Sequence, residues 1–187
     1  MAADTDWVVL IRGRGDPERG EICLMQLTAI LGGEPPEPID GLPTDVPTTA
    51  CPILTAFAIS LNDSVDELQR QELKPFAQLL LGTYDANSAA SRSAVLKKAV
   101  LAAQAEANAF GIPVQRAEVA HLLQACWESG AVELMRRLAK QFLAALHEAI
   151  FKGQHHQTGT PDLAEARDKQ QRPSCECQRV IEEKTLA

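Results

Sequence analysis

Glu34, Asp45, Asn62, Asp63 and Arg70 flank one proline-rich stretch, with Glu21 a little before it. Gathered around one pocket, the carboxylates of Glu34, Asp45 and Asp63 can serve as acid, base or metal ligands, with Arg70 beside them as a cation. The same residue types have a plainer use at helix boundaries. There Asp and Asn satisfy free backbone donors, and Arg70 can pair with Asp66 one turn earlier. Capping is the stronger expectation, and the pocket is kept as the alternative.

Three further sets can be read for chemistry. His155-His156 with Cys175 and Cys177 would complete a tetrahedral zinc shell, but paired structural ligands are usually two to four residues apart and neighbouring histidines seldom share one ion. Glu118 and His121 form the half-site that two-metal bundle proteins use twice, and no matching half stands near Glu133 or Glu148. Arg12-Gly13-Arg14-Gly15 looks like part of a phosphate loop but lacks the Lys and the Ser or Thr that hold phosphate and metal. No metal, cofactor or catalytic residue is therefore expected, and His155, His156, Cys175 and Cys177 remain weak metal candidates.

These residues must be positioned by a chain of 187 residues, 45% hydrophobic and 23% charged, which is enough for one core with a tail. Its 25 acidic against 18 basic side chains give a formal charge of −7, which makes nucleic acid an unlikely partner. The most apolar run, 50–61, is too short to cross a bilayer. The acidic start and five cysteines in no regular framework fit a cytoplasmic protein with reduced thiols.

Apolar spacing predicts an all-α fold, a five- or six-helix bundle-like domain over residues 17–152. An N-terminal arm over 1–16, with a short strand or apolar clip at 7–11, precedes it, and a polar tail over 153–187 follows. Cys23, Leu24, Leu27, Ile30 and Leu31 predict a helix over 17–31, ended by Gly32-Gly33. Five prolines between Glu34 and Pro47 predict a loop. Thr48 or Thr49 is expected to cap a helix over 50–61 that Asn62-Asp63 closes. Ser64 and Glu67 have capping-box spacing at the start of a stripe including Leu68, which runs to Gly82 and is divided or kinked at Pro75. Helices over 89–110, 115–128 and 131–152 follow; the last has the clearest stripe, Val132, Met135, Leu138, Phe142, Leu146 and Ile150.

One resemblance is carried by Glu21, Cys23-Leu24-Met25, Gly33-Glu34-Pro35, Asp45-Val46-Pro47, Leu61-Asn62-Asp63, Leu73-Lys74-Pro75 and Gly82-Thr83. Over residues 20–85 this string resembles a family of uncharacterised bacterial and phage proteins, and the resemblance implies no activity. Two positions depart from the pattern: Val46 stands where a histidine is frequent, and Gln26 where an acidic residue often follows the methionine. Catalysis resting on those two positions would be missing here.

The functional expectation is a non-catalytic helical protein-binding module that modulates a larger bacterial or phage assembly through an exposed groove or the proline-rich loop. The alternative is an enzyme or small-ligand protein built on Glu34, Asp45, Asp63 and Arg70. Self-association along the 131–152 stripe is a third use of the same sequence.

Overall fold

The computed structural model describes residues 5–152. Seven α-helices form its body: α1 (Leu24–Leu31), α2 (Pro52–Ser64), α3 (Glu67–Gln71), α4 (Lys74–Leu80), α5 (Ala89–Ala109), α6 (Val119–Glu128) and α7 (Val132–Phe151). The only strands among the described residues are β1 (Val9–Leu10) and β2 (Glu21–Ile22), paired in parallel. The all-α reading holds, with a short strand in the N-terminal arm. No helix among the described residues is long and apolar enough to cross a membrane.

The core forms where the helical stripes meet. Phe142 of α7 is fully buried and meets Phe57 of α2 edge-on, with ring centroids 6.0 Å apart. Burying such a ring stabilises the fold by about 2–3 kcal/mol. Small residues are buried on both long helices, Ala103 and Ala107 on α5 and Ala139, Ala145 and Ala149 on α7, and α5 packs against α7. Without bulk at such a seam, helix axes can approach closely. Glu106 of α5 reaches across to Arg137 and Gln141 of α7 at 2.6 and 2.8 Å. Most of the stripe proposed for self-association is therefore occupied by packing within the chain: Met135, Leu138, Phe142, Leu146 and Ile150 are buried, and Val132 is half-buried.

Several boundaries differ from the expected ones. The first helix begins at Leu24, because Pro17–Arg19 forms a 3-10 turn and Glu21–Ile22 pairs with the arm. Neither Thr48 nor Thr49 caps α2; Cys51 precedes it without a side-chain cap, and Pro52 opens the helix where its missing N–H costs nothing. Asn62 and Asp63 lie inside α2, which continues to Ser64. No Ser64–Glu67 capping box forms. Ser64 Oγ donates to Ser60 O at 2.6 Å, and Asp66 caps α3 by accepting from Gln69 N at 2.8 Å. Leu68 is no part of a buried stripe; it is exposed.

Gly33 ends α1 as expected. Its φ is +67°, and the next residue, Glu34, donates from its backbone to Ala29 O at 3.0 Å, the long closing bond of a left-handed helix cap. The chain then enters the proline-rich loop with Glu34 facing the start of the following segment. Within that loop Glu37 N donates to Leu42 O at 2.8 Å and Gly41 N to Glu37 O at 2.9 Å. Arg14 clamps it from outside, 3.0 Å from Asp40 and 3.1 Å from Pro43 O. Ile39 is left at the tip, almost wholly exposed.

Candidate functional site

Asn62 and Asp63 of the resemblance, together with Gln26 and Gln71, bond to the N-terminal arm. A two-residue strand has too few partners to satisfy the arm's backbone, so side chains supply the rest. Gln71 of α3 accepts from Leu10 N at 3.0 Å and donates to Leu10 O at 2.8 Å, as a neighbouring strand would. Asn62 Nδ2 donates to Ile11 O at 2.9 Å, and Asp63 Oδ1 accepts from Gly13 N at 2.9 Å. Gln26 of α1 is fully buried; its Oε1 accepts from Gly15 N at 2.8 Å and Cys23 N at 3.1 Å. Its Nε2 donates to Gly15 O at 3.3 Å and Pro43 O at 3.4 Å.

This explains the glycine of the supposed phosphate loop. A Cβ on Gly15 would stand 2.0 Å from Glu21 O, so only glycine lets the arm lie this close to β2. With Arg14 committed to the proline-rich loop, the segment is a packed arm.

Arg70 is buried against the end of α2. Its Nε donates to Asn62 O at 2.7 Å and its Nη2 to Val65 O at 2.8 Å. The expected pairing with Asp66 is not made; Asp66 caps α3 and lies 3.6 Å from Arg136 of α7. Burial, then the charge of Arg12, lowers the Arg70 pKa from its ordinary value, while Asp63, Glu67 and Asp66 oppose the shift.

Glu34 acts alone, as a staple across the proline-rich loop. Oε2 accepts from Thr48 N at 3.0 Å, and Oε1 accepts from Thr49 N at 3.2 Å and Thr49 Oγ1 at 3.1 Å. Burial pushes its pKa up, but the hydrogen bonds from Thr48 and Thr49 outweigh it and hold the pKa below the ordinary 4.5. A lowered carboxyl pKa gives stability that is present above the unfolded value and lost as pH falls through the folded one. Glu34→Gln is accordingly expected to cost about 1 kcal/mol at neutral pH, allowing for solvent screening. That gap should close below pH 4.5, which denaturant titrations of both proteins across the acid range will measure.

The predicted residues thus separate. Asp45, Asn62 and Asp63 line one cavity of about 40 Å³, with Gly13, Cys23 and Met25. Asp63 and Arg70 also line a larger open groove of about 1390 Å³. Glu34 lines neither, so the expected pocket of Glu34, Asp45, Asp63 and Arg70 does not form. Asp45 makes no hydrogen bond or ion pair among the described residues; its charge is felt at Cys23, whose thiol pKa is raised chiefly by burial. Glu118 and His121 form an exposed pair at 2.9 Å. No group of three His, Cys, Asp or Glu fit to hold a metal gathers among the described residues. His155, His156, Cys175 and Cys177 lie outside them.

The sequence suggests an exposed groove without naming its residues, and the large groove supplies a candidate. It runs between β1, α3 and α6, and carries the exposed apolar side chains of Val9, Leu68 and Trp127. Glu21, Glu67 and Glu128 line it together with Arg12 and Lys74. The lining thus mixes apolar side chains with charges of both signs. Comparison with protein-family models, with curated proteins and with solved structures gives no match.

Proposed function

We propose that this chain is a non-catalytic, cytoplasmic helical protein-binding module that modulates a larger bacterial or phage assembly, with the open groove as its main contact. The observation that carries this reading is the exposure of Val9, Leu68 and Trp127 along one groove, at 54, 79 and 62%. Large apolar side chains grouped in this way usually await a partner, and tryptophan is the residue most often found to dominate binding energy. The proline-rich loop is a second contact: its internal bonds and the Arg14 clamp hold Ile39 outward before any partner arrives. Catalysis is the weaker reading, because Glu34, Asn62, Asp63 and Arg70 are engaged with backbone groups.

Affinity capture from lysates, with bound proteins quantified by mass spectrometry, tests this. A partner retained by the natural chain should be lost at least about tenfold with Trp127→Ala and with Leu68→Asp, as expected for truncated hot spots. Ile39→Asp should reduce it less. Equal retention by both groove variants, or no partner at all, would remove the groove from the proposal.

A further inference from the structure

We propose that the proline-rich loop is read by a partner protein whose groove is walled by aromatic side chains, the kind of groove that accepts a polyproline II segment. The proposal rests on the reading of this chain as a protein-binding module and names the chemistry of the loop's partner. From Glu34 to Asp40 the sequence runs Glu-Pro-Pro-Glu-Pro-Ile-Asp, with an acid at every third place. A polyproline II helix has three residues per turn, so this spacing sets Glu34 and Glu37 on one edge, Pro35 and Pro38 on the next and Pro36 on the third. Residues 34–37 are neither helix, strand nor turn. The rings fix φ at Pro35 and Pro36, while Glu34, Pro35 and Glu37 each precede a proline and are held to extended or polyproline II backbone.

The structure turns this segment as its spacing requires. Glu34 accepts from Thr48 N and Thr49 N, and Arg14 lies 3.5 Å from Glu37, so the acid edge is tied to the body of the protein. Glu34 and Glu37 are half-buried, whereas Pro35, Pro36, Pro38 and Ile39 are exposed. The carbonyls of Pro35 and Pro36 accept no hydrogen bond among the described residues and stay open to a donor such as an indole N–H. A turn closes the stretch, where Gly41 N donates to Glu37 O at 2.9 Å and Arg14 holds Asp40 at 3.0 Å. Fixed at both ends, the segment loses little entropy on docking, which is how proline-rich ligands gain affinity in aromatic grooves.

The test titrates the full chain into isotope-labelled SH3 and WW domains, both aromatic-groove readers of proline-rich segments, and follows their amide shifts by NMR. At least one domain should show saturable shifts confined to its aromatic groove and reversed by excess of a free Pro-x-x-Pro peptide. Pro35→Ala combined with Pro38→Ala, in a protein whose unfolding midpoint shows it folded, should weaken this binding at least about tenfold. Val46→Ala, exposed on the same loop, should not change it. Trp127→Ala should not change it either, so this experiment and the capture test of the open groove fail separately. No saturable shift up to about 1 mM of the chain would overturn the proposal. So would shifts lying outside the aromatic groove, or binding that the double variant retains in full.

Discussion

Replacing Gln26 with alanine is expected to cost about 3–5 kcal/mol, a large share of the roughly 5–15 kcal/mol that holds a domain of this kind together. The side chain is fully buried and makes four bonds, to Gly15 N, Cys23 N, Gly15 O and Pro43 O. Alanine leaves two backbone donors and Gly15 O short of a partner, leaves Pro43 O with Arg14 alone, and opens a void as well. Denaturant unfolding should show a lower midpoint with little change of slope, and limited proteolysis should cut more readily between Arg12 and Arg19. Gln26→Glu sharpens the prediction. A carboxylate keeps the two acceptor contacts but faces Gly15 O and Pro43 O with no proton to give. Its folded pKa must rise, so the variant should be most stable in acid and lose stability as pH climbs through that raised value. A stability profile flat with pH would show that the amide hydrogen bonds to those carbonyls matter little.

Much of the helical body was legible because its information is local. The stripe on α7 and the alanine-rich face of α5 repeat at the period of the helix itself, and Gly33 stops α1 through its own backbone conformation. What was not legible depends on distant partners. Residues 17–22 have a helix-compatible composition, but Glu21 and Ile22 are drawn out by Val9 and Leu10, and Gly20, at φ +70°, turns the chain into that pairing. Leu68 was placed on one stripe running to Gly82, yet α3 ends at Gln71 and Leu68 faces outward.

The site divides along the same line. Asp45, Asn62 and Asp63 line one small cavity, while Glu34 is held by a loop contact to Thr48 and Thr49. Gln26 carried a faint signal: with Cys23 three residues before it, the pair has the spacing of a capping box, which the structure forms. Gln71 carried none. Its amide pairs with Leu10, 61 residues away, and nothing in a glutamine on a short helix announces that it will stand in for a strand.

Arg70→Met separates the two readings of that residue. A ligand-binding arginine can be removed with loss of binding and little loss of stability. Here the guanidinium, 6% exposed, serves Asn62 O and Val65 O, carbonyls at and just beyond the last turn of α2, where a helix has no internal donors left. A positive charge also suits the negative end of the helix dipole. Methionine fills much of the space and leaves both carbonyls unpaired and Asp63 without its nearby positive charge, which should cost about 3 kcal/mol. Arg70→Lys should recover only part of this, because a point-like ammonium cannot reproduce the fixed fork that spans two carbonyls. Denaturant unfolding of both variants, with partner capture measured well below their midpoints, decides the matter. Lost capture with unchanged stability would return Arg70 to the binding surface, whereas lost stability with capture retained by the folded fraction makes it the residue that fixes the corner between α2 and α3.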